Sequence, residues 1–181
     1  NGIKCIMRNK SDSIAFFEVF LLNTNDYLNE FTIKENDIVV DIGAHIGYYS
    51  IYSSEKVKNG KIFAFEPYRE SFEVLIKNLE INQIDNVISQ NMGVTENSGI
   101  STLYLKKDFS IGNSIYKNIE TDSKVEIKTI CLQDIIENNN LQRINILKLD
   151  CEGAEYEILL NLDPQILQRI DKIVTEVHPN I

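Results

Sequence analysis

A glycine-rich turn between two different periodicities is the feature that most constrains this chain. Residues 38–40 form a short apolar run that predicts a buried strand, and residues 46–57 have the spacing of a helix. The turn between them, residues 41–47, reads DIGAHIG and contains Gly43 and Gly47. Glycine allows sharp turns and close backbone approach, and a helix that begins here presents unpaired N–H groups. This order predicts a ligand site at the carboxyl end of a strand in an open α/β sheet.

The rest of the chain repeats this alternation of apolar runs with helical periodicity. Short runs rich in β-branched residues predict strands, and the stretches between them predict helices. Such an order is typical of a parallel sheet with helices on its faces, so we predict one domain over residues 1–181. The predicted fold class is α/β, a Rossmann-like, doubly wound and mostly parallel sheet. The further predicted strands are residues 61–65, 87–91, 144–149 and 173–177. The further predicted helices are residues 134–137, residues 154–161 and one that begins at about Tyr68. This last helix has an apolar stripe at Phe72, Leu75, Ile76 and Leu79.

Two segments lie outside this alternation. Residues 1–35 form an N-terminal lead-in, and residues 101–132 form an extended insertion with a polar loop. Within the insertion, residues 101–105 and 125–132 have extended character and are candidates to pair with each other, with the polar loop 106–124 between them. The chain ends at the fifth predicted strand, whereas a sheet of this kind usually has one or two more. We therefore expect the domain to be truncated at its C-terminus.

Charge and composition bear on partners and compartment. The formal net charge is −9 without a cluster of basic residues, so the surface would repel a phosphate backbone and we predict no nucleic-acid partner. No run approaches the length of a membrane span, so none is predicted. The three cysteines, Cys5, Cys131 and Cys151, form no CxxC pair, which indicates a reducing compartment and a cytoplasmic localisation. The oligomeric state is left open, and so is a removed leader, because the chain begins at Asn1 rather than Met.

The spacing of the glycine turn bears on the ligand that it would hold. A dinucleotide fingerprint reads GxGxxG, whereas this turn reads GxxxG and has His45 where the second glycine would stand. Asp41 precedes the turn, and a carboxylate there would repel a pyrophosphate but would suit a cation. Because S-adenosylmethionine carries an ammonium and a sulfonium group, Asp41 favours it over NAD. The alternative is a plain tight turn in which Asp41 caps the helix.

Glu66 ends the second predicted strand, about 20 residues past the glycine turn. A carboxylate at this spacing accepts hydrogen bonds from ribose hydroxyls, and its two oxygens allow a bidentate contact. NAD and S-adenosylmethionine both contain an adenosine ribose, so Glu66 indicates an adenosine ligand without separating the two. The alternative is a solvated glutamate that complements the positive end of the next helix.

Three motifs stand out along the chain: residues 38–54 (IVVDIGAHIGYYSIYSS), 61–67 (KIFAFEP) and 146–160 (ILKLDCEGAEYEILL). The third has an Asp-x-Glu-Gly-x-Glu pattern that begins at Asp150. Together these motifs resemble the FkbM family of S-adenosylmethionine-dependent methyltransferases, of which the third is the most diagnostic block, and the likeness spans nearly the whole chain. Weaker likenesses are Arg8 with Ser11, Asp12, Ser13 and Phe20 in the lead-in, and GNSI at residues 112–115.

The resemblance implies a sheet of the methyltransferase type and an O-methyltransferase that acts on a hydroxyl of a sugar, a glycan or a small metabolite. It implies S-adenosylmethionine as the cofactor, with Asn91 near the adenine, and Mg²⁺ is not expected. Two alternatives stay open: an NAD-dependent oxidoreductase on a related fold, and a non-catalytic module that only binds the cofactor. The predicted cofactor-binding residues are Asp41, Gly43, Ala44, His45, Gly47, Tyr48, Glu66, Pro67, Asn91 and Asp150.

Acidic residues follow the fourth and fifth predicted strands and would meet at the carboxyl edge of the sheet. Asp150 is the first candidate for a general base and His178 the second, and Glu176 is a further catalytic candidate. If a Mg²⁺ ion were used instead, Asp150 and Glu176 would hold it. The simpler alternative is that the carboxylates only complement a helix N-terminus. The predicted substrate contacts are Asn113, Ser114, Glu152 and Glu155.

Overall fold

The computed structural model describes residues 2–20, 32–106, 112–117 and 121–176. None of the helices in these ranges combines the length and the apolar character needed to cross a membrane. In chain order the elements are helix α1 (Lys10–Phe20), strand β1 (Ile38–Ile42), helix α2 (Tyr48–Lys56), strand β2 (Lys61–Phe65), helix α3 (Arg69–Ile81), strands β3 (Val87–Gln90), β4 (Gly93–Val94), β5 (Gly99–Lys106) and β6 (Thr121–Ile130), helix α4 (Leu132–Asn138), strand β7 (Ile146–Leu149), helices α5 (Glu155–Leu160) and α6 (Pro164–Leu167), and strand β8 (Ile173–Thr175).

The main sheet has five strands in the order β3-β2-β1-β7-β8, and every neighbouring pair is parallel. The order reverses direction at β1, which lies between β2 and β7. Ligands of open α/β sheets bind at such a reversal, beyond the carboxyl ends of the strands. In the register of β1, Asp41 lies opposite Ala64 of β2 and opposite Lys148 of β7.

Helices cover both faces of this sheet, as the doubly wound prediction requires. Val40, Ile42 and Leu147 belong to a buried cluster that continues into α4, α5 and α6. Val39 and Ile146, one position along each strand, face the opposite side and pack with α2. Successive strand residues point to opposite faces, so strands buried on both sides are nearly continuous apolar runs. The predicted fold class is confirmed.

Helix α3 buries a different face from the predicted stripe. Leu75 and Leu79 are buried as expected, but Phe72 and Ile76 are only partly buried. Asn78 is fully buried in their place, because its Oδ1 accepts from Ile6 N at 2.7 Å and its Nδ2 donates to Ile46 O at 2.9 Å. A polar residue therefore joins the lead-in segment to the glycine turn through α3, which apolar periodicity alone does not indicate.

The insertion forms a second, three-stranded sheet in the order β4-β6-β5. Strands β5 and β6 are antiparallel, so the two extended segments pair with each other as expected. The short β4 pairs with β6 in parallel and was not predicted. Of the polar loop, residues 107–111 and 118–120 lie outside the described residues, and Ser114 forms a bridge with Tyr104 of β5.

Helix α1 lies in the lead-in and was not predicted. Asn9 begins it as an N-cap, since its Oδ1 accepts from Asp12 N at 3.0 Å. The helix packs on α2 through aromatic rings: Phe16 and Phe20 lie 5.5 Å and 6.0 Å from the ring of Tyr48, edge to face. Its apolar residues do not follow one clear stripe, so the cap at Asn9 was the available sequence signal.

Candidate functional site

A cleft of about 360 Å³ lies where the main sheet, α1 and the second sheet meet. Residues at the ends of β1, β2 and β7 line it, together with residues of α1 and of the insertion. The residues that line it are Ser11, Ile14, Ala15, Glu18, Val19, Ile42, Gly43, Ala44, His45, Tyr48, Tyr49, Glu66, Pro67, Gly93, Val94, Leu103, Gly112, Asn113, Ile115, Lys148, Asp150, Cys151, Glu152, Ala154 and Glu176.

The glycine turn has left-handed backbone conformations at three positions: Gly43 at φ 76°, His45 at φ 50° and Gly47 at φ 90°. A Cβ on Gly43 would lie 1.8 Å from Asp150 O, so this position also requires glycine for close approach between β1 and the end of β7. A Cβ on Gly47 would lie 3.0 Å from Leu75 Cγ. Gly43 lines the cleft, whereas Gly47 lets α2 begin against α3.

Asp41 does not line the cleft. Its carboxylate is fully buried, accepts from Ser50 Oγ at 2.7 Å and lies 3.3 Å from Lys148 Nζ. The negative charge that the sequence suggested for a cationic ligand is thus balanced within the protein. The pairing follows from the register of β1 with β7, which sets Asp41 beside Lys148.

Glu66 is 7% exposed and lines the cleft just after β2. Its Oε2 accepts from His45 N at 2.8 Å and its Oε1 from Tyr68 N at 2.8 Å, so both oxygens are held in place. Burial raises the pKa of Glu66 to about 7, although the hydrogen bonds from Tyr68 and His45 act in the opposite direction. Each oxygen keeps a second lone pair for a ligand hydroxyl.

Asn91 supports this loop without lining the cleft. Its Nδ2 donates to Glu66 O at 2.8 Å and to Pro67 O at 3.0 Å. The amide of Asn91 therefore holds the carbonyl groups of two consecutive residues, Glu66 and Pro67. An adenine contact for Asn91 stays a prediction.

Lys148 links two carboxylates at the end of β7. Its Nζ lies 3.3 Å from Asp41 Oδ1 and 3.3 Å from Asp150 Oδ2. Burial alone would lower the pKa of Lys148, but the carboxylates of Asp150 and Asp41 outweigh it and raise this pKa. Asp150 lines the cleft with about a third of its side chain exposed, so it faces solvent or ligand on one side and Lys148 on the other.

Two more carboxylates, Glu18 of α1 and Glu176 after β8, line the same cleft. Burial, then the charges of Glu176 and Asp150, raise the pKa of Glu18. The cleft is therefore negative on this side. Within the described ranges, no group of three or more histidine, cysteine or carboxylate side chains has the arrangement of a metal site.

The Asp-x-Glu-Gly-x-Glu block contains residues that line the cleft and a residue that stabilises the turn beside it. Glu152 lines the cleft and has a left-handed backbone at φ 55°. Glu155 is 2% exposed and does not line it, because its carboxylate accepts from Cys151 N and Gly153 N at 2.8 Å each. Its observed contacts stabilise the turn between β7 and α5.

The predicted substrate contacts on the insertion also differ from each other. Asn113 lines the cleft, and its Oδ1 accepts from Lys106 N at 3.1 Å. Ser114 instead joins the insertion to the block after β7, since its Oγ donates to Glu152 O at 2.6 Å. The second sheet is thereby attached to the cleft at this point.

Most of the predicted site residues therefore meet in one place. The cleft is lined by Gly43, Ala44, His45, Tyr48, Glu66, Pro67, Asn113, Asp150, Glu152 and Glu176, whereas Asp41, Gly47, Asn91, Ser114 and Glu155 support it, and His178 lies outside the described residues.

Sequence reasoning missed the contribution of α1. Ser11, Ile14, Ala15, Glu18 and Val19 line the cleft, at positions three or four apart along one side of the helix. A capping residue at Asn9 was a signal that could have marked the start of this helix, but nothing local indicates which element the helix would face.

The strand order of the parallel sheet reverses at the strand that precedes the glycine turn, and a cleft with a buried glutamate lies at this point. These features define a Rossmann-like cofactor-binding domain. Residues 41–181 match the sequence model of a protein family, which is described as the methyltransferase FkbM domain. The chain belongs to the FkbM methyltransferase family.

Three relatives illustrate the range of this family. Methyltransferase 1 of Beauveria bassiana is 29% identical over 162 residues, which cover 79% of this chain and 65% of that protein. Hexuronic acid methyltransferase AglP of Haloferax volcanii is 28% identical over 148 residues, which cover 82% of this chain and 59% of that protein. The 31-O-demethyl-FK506 methyltransferase FkbM of Streptomyces tacrolimicus is 21% identical over 175 residues, which cover 81% of this chain and 67% of that protein. The chain thus spans less than two thirds of the length of the first two.

Proposed function

We propose that this protein is an S-adenosylmethionine-dependent methyltransferase that methylates a hydroxyl group of a sugar, a glycan or a small metabolite. The observation that carries the proposal is Glu66, a buried carboxylate whose two oxygens are held at the cleft by backbone amides. Family membership supports the reaction class. The names of two relatives, a hexuronic acid methyltransferase and a 31-O-demethyl-FK506 methyltransferase, support a hydroxylated acceptor.

The cleft suits this cofactor in size and in charge. Its volume of about 360 Å³ lies in the range of small-molecule sites. The second lone pairs of Glu66 suit the ribose hydroxyls, and the carboxylates of Asp150, Glu18 and Glu176 suit a ligand with a sulfonium and an ammonium group. A pyrophosphate, which NAD would bring, would meet these same carboxylates.

Methyl transfer needs an aligned acceptor oxygen and a base. A bound S-adenosylmethionine would supply the methyl group: the acceptor oxygen would bond to the methyl carbon as the carbon–sulfur bond broke, the electron pair of that bond would stay on sulfur, and the hydroxyl proton would pass to a base. Asp150 is the proposed base, and Lys148 orients its carboxylate from 3.3 Å. Alignment supplies roughly 7–11 kcal/mol in favourable cases, and the base about 10²–10⁴-fold. His178 and Glu176 are the other proposed catalytic groups, and Asn113 and Glu152 the proposed acceptor contacts.

Calorimetric titration with S-adenosylmethionine, its demethylated product and NADH tests the cofactor. We expect micromolar dissociation constants for the first two ligands, which correspond to a binding free energy of about −8 kcal/mol. We expect no detectable binding of NADH. Binding of NADH alone would replace the methyltransferase with an oxidoreductase. Cofactor binding without turnover on any sugar or metabolite acceptor would favour the non-catalytic module. The acceptor screen includes an RNA oligonucleotide, whose methylation would contradict the proposed acceptor class.

Replacing Glu66 with alanine is expected to weaken S-adenosylmethionine binding by about 1.5–3 kcal/mol, because hydrogen bonds to a charged acceptor are lost. Calorimetry measures the change, and Glu80→Ala on the exposed side of α3 is the matched control. An unchanged dissociation constant in Glu66→Ala would remove the ribose assignment.

Cofactor affinity is expected to fall as the pH falls through 7. The deprotonated carboxylate of Glu66 is the stronger acceptor, and the pKa of this group is about 7, so the competent fraction drops about tenfold between pH 8 and pH 6. The stability of the protein should change in the opposite sense. Because the pKa in the folded state lies above the unfolded value of 4.5, this group's stabilisation is complete below pH 4.5 and is lost as the pH rises through 7. Both trends should be absent from Glu66→Ala.

A further inference from the structure

An ion pair in the lead-in segment reaches the glycine turn. Arg8 donates from its backbone N to Asp12 Oδ2 at 2.7 Å, from Nε to the same oxygen at 3.0 Å, and from Nη2 to Asp12 Oδ1 at 3.1 Å. The side chain of Asp12 is fully buried. A guanidinium that is gripped on two atoms by a buried carboxylate has a set orientation.

The same guanidinium contacts two further elements. Its Nη1 donates to Ser71 Oγ of α3 at 3.2 Å. Its Nη2 lies 2.9 Å from Nε2 of His45 in the glycine turn. Arg8 therefore joins the lead-in, α3 and the turn at one point.

This contact decides which nitrogen of His45 carries the proton. A guanidinium can only donate, so at 2.9 Å the Nε2 atom must accept with its lone pair. The proton of the neutral ring then sits on Nδ1. Asp12 Oδ1 lies farther from the same nitrogen, at 3.4 Å, and competes poorly for an Nε2 proton.

The surroundings also keep the ring neutral. Burial lowers the pKa of His45 to about 4, the carboxylate of Asp12 opposes this, and the charge of Arg8 adds to it. From β7 and its end, Asp150 raises this pKa and Lys148 lowers it. The ring is thus uncharged at neutral pH and suited to accept from Arg8.

The backbone of His45 carries the effect into the cleft. Its φ of 50° is a left-handed conformation, which is strained for a non-glycine residue and persists only where its surroundings hold it. Its N–H donates to Glu66 Oε2 at 2.8 Å. Anchoring the ring therefore also holds the amide that orients the ribose carboxylate.

We propose that Arg8 and Asp12 are positioning residues of the cofactor site: they hold His45 as its Nδ1–H tautomer and, through its backbone, set the turn that orients Glu66. The link to cofactor affinity rests on the proposed function, whereas the tautomer does not.

Nitrogen NMR of the imidazole rings tests the tautomer in the free protein. The chain has two histidines, and His45→Gln assigns the signals. We expect Nε2 of His45 to be unprotonated and Nδ1 protonated from pH 8 to pH 6. In Arg8→Met the donor to Nε2 is lost, so the proton should shift toward Nε2, next to Asp12, and the pKa of His45 should rise.

Calorimetry on the same variants tests the positioning role. Arg8→Met should weaken S-adenosylmethionine binding about tenfold, whereas Arg69→Met, an exposed arginine of α3, should change it less than twofold. Should Arg8→Met fail to fold, Asp12→Asn takes its place, with the same tenfold weakening expected.

Three results would overturn the proposal: a proton on Nε2 in the wild type, an unchanged tautomer in Arg8→Met, or unchanged affinity in the variant used. Absence of any cofactor binding to the wild type would instead count against the proposed function, and the tautomer measurement would still stand.

Discussion

Replacing Asp150 with asparagine should lower kcat by about 10²–10⁴-fold, the usual contribution of a general base. Asparagine has nearly the same shape but does not take up a proton. The carboxylate lines the cleft and lies 3.3 Å from Lys148 Nζ, and in the proposed function it receives the proton of an acceptor hydroxyl. The measurement is the rate of formation of the demethylated cofactor with an acceptor identified in the screen.

Asp85→Asn, in the exposed turn after α3, is the matched control and should leave kcat within about twofold. The dissociation constant of S-adenosylmethionine, measured on each variant, separates a loss of chemistry from a loss of cofactor. If Asp150→Asn keeps the wild-type kcat and either His178→Ala or Glu176→Gln loses it, the base is the residue whose replacement lowers kcat.

Replacing Lys148 with methionine should destabilise the fold by about 3–5 kcal/mol, because the change leaves Asp41 as a buried charge without its cation. Asp41 is fully buried, and its remaining described hydrogen bond comes from the neutral hydroxyl of Ser50. Methionine fills a similar volume, so the loss reports on charge more than on packing. Urea unfolding measures the effect.

A second substitution distinguishes this cause from a general loss of packing. Asp41→Asn in the Lys148→Met background removes the unpaired charge and should recover most of the lost stability. Lys128→Met, on an exposed position of β6, is the control and should have an effect within about 0.5 kcal/mol. Equal stability of Lys148→Met and the wild type would show that the pair contributes little.

Much of the fold follows from local pattern. The strands of the main sheet and the helices α2 and α3 are marked by short apolar runs and by helical spacing, so their order was predictable. The places of the glycine turn after β1 and of Glu66 after β2 were predictable for the same reason, because their spacing along the chain reflects a strand–turn–helix unit. The pairing of β5 with β6 also follows from two extended segments joined by one loop.

The partners of the site residues were decided by contacts between distant segments. The register of β1 with β7 placed Lys148 beside Asp41 and so turned a predicted ligand contact into an internal ion pair. The packing of α1 on α2 brought Glu18 into the cleft. Glu155 accepts hydrogen bonds from the turn before its own helix. The pattern of acidic residues in the sequence does not distinguish this role from a contact with a ligand.

The sequence by itself determined the strands of the main sheet, the helices α2 and α3 and the place of the glycine turn, because periodicity and glycine conformation act within a few residues. Only the tertiary structure decided which charges face the cleft and which face each other. The reason is that burial and the distances between remote side chains determine which charges pair. Lys148 pairs with the buried carboxylate of Asp41, and Arg8 lies 2.9 Å from the imidazole of His45.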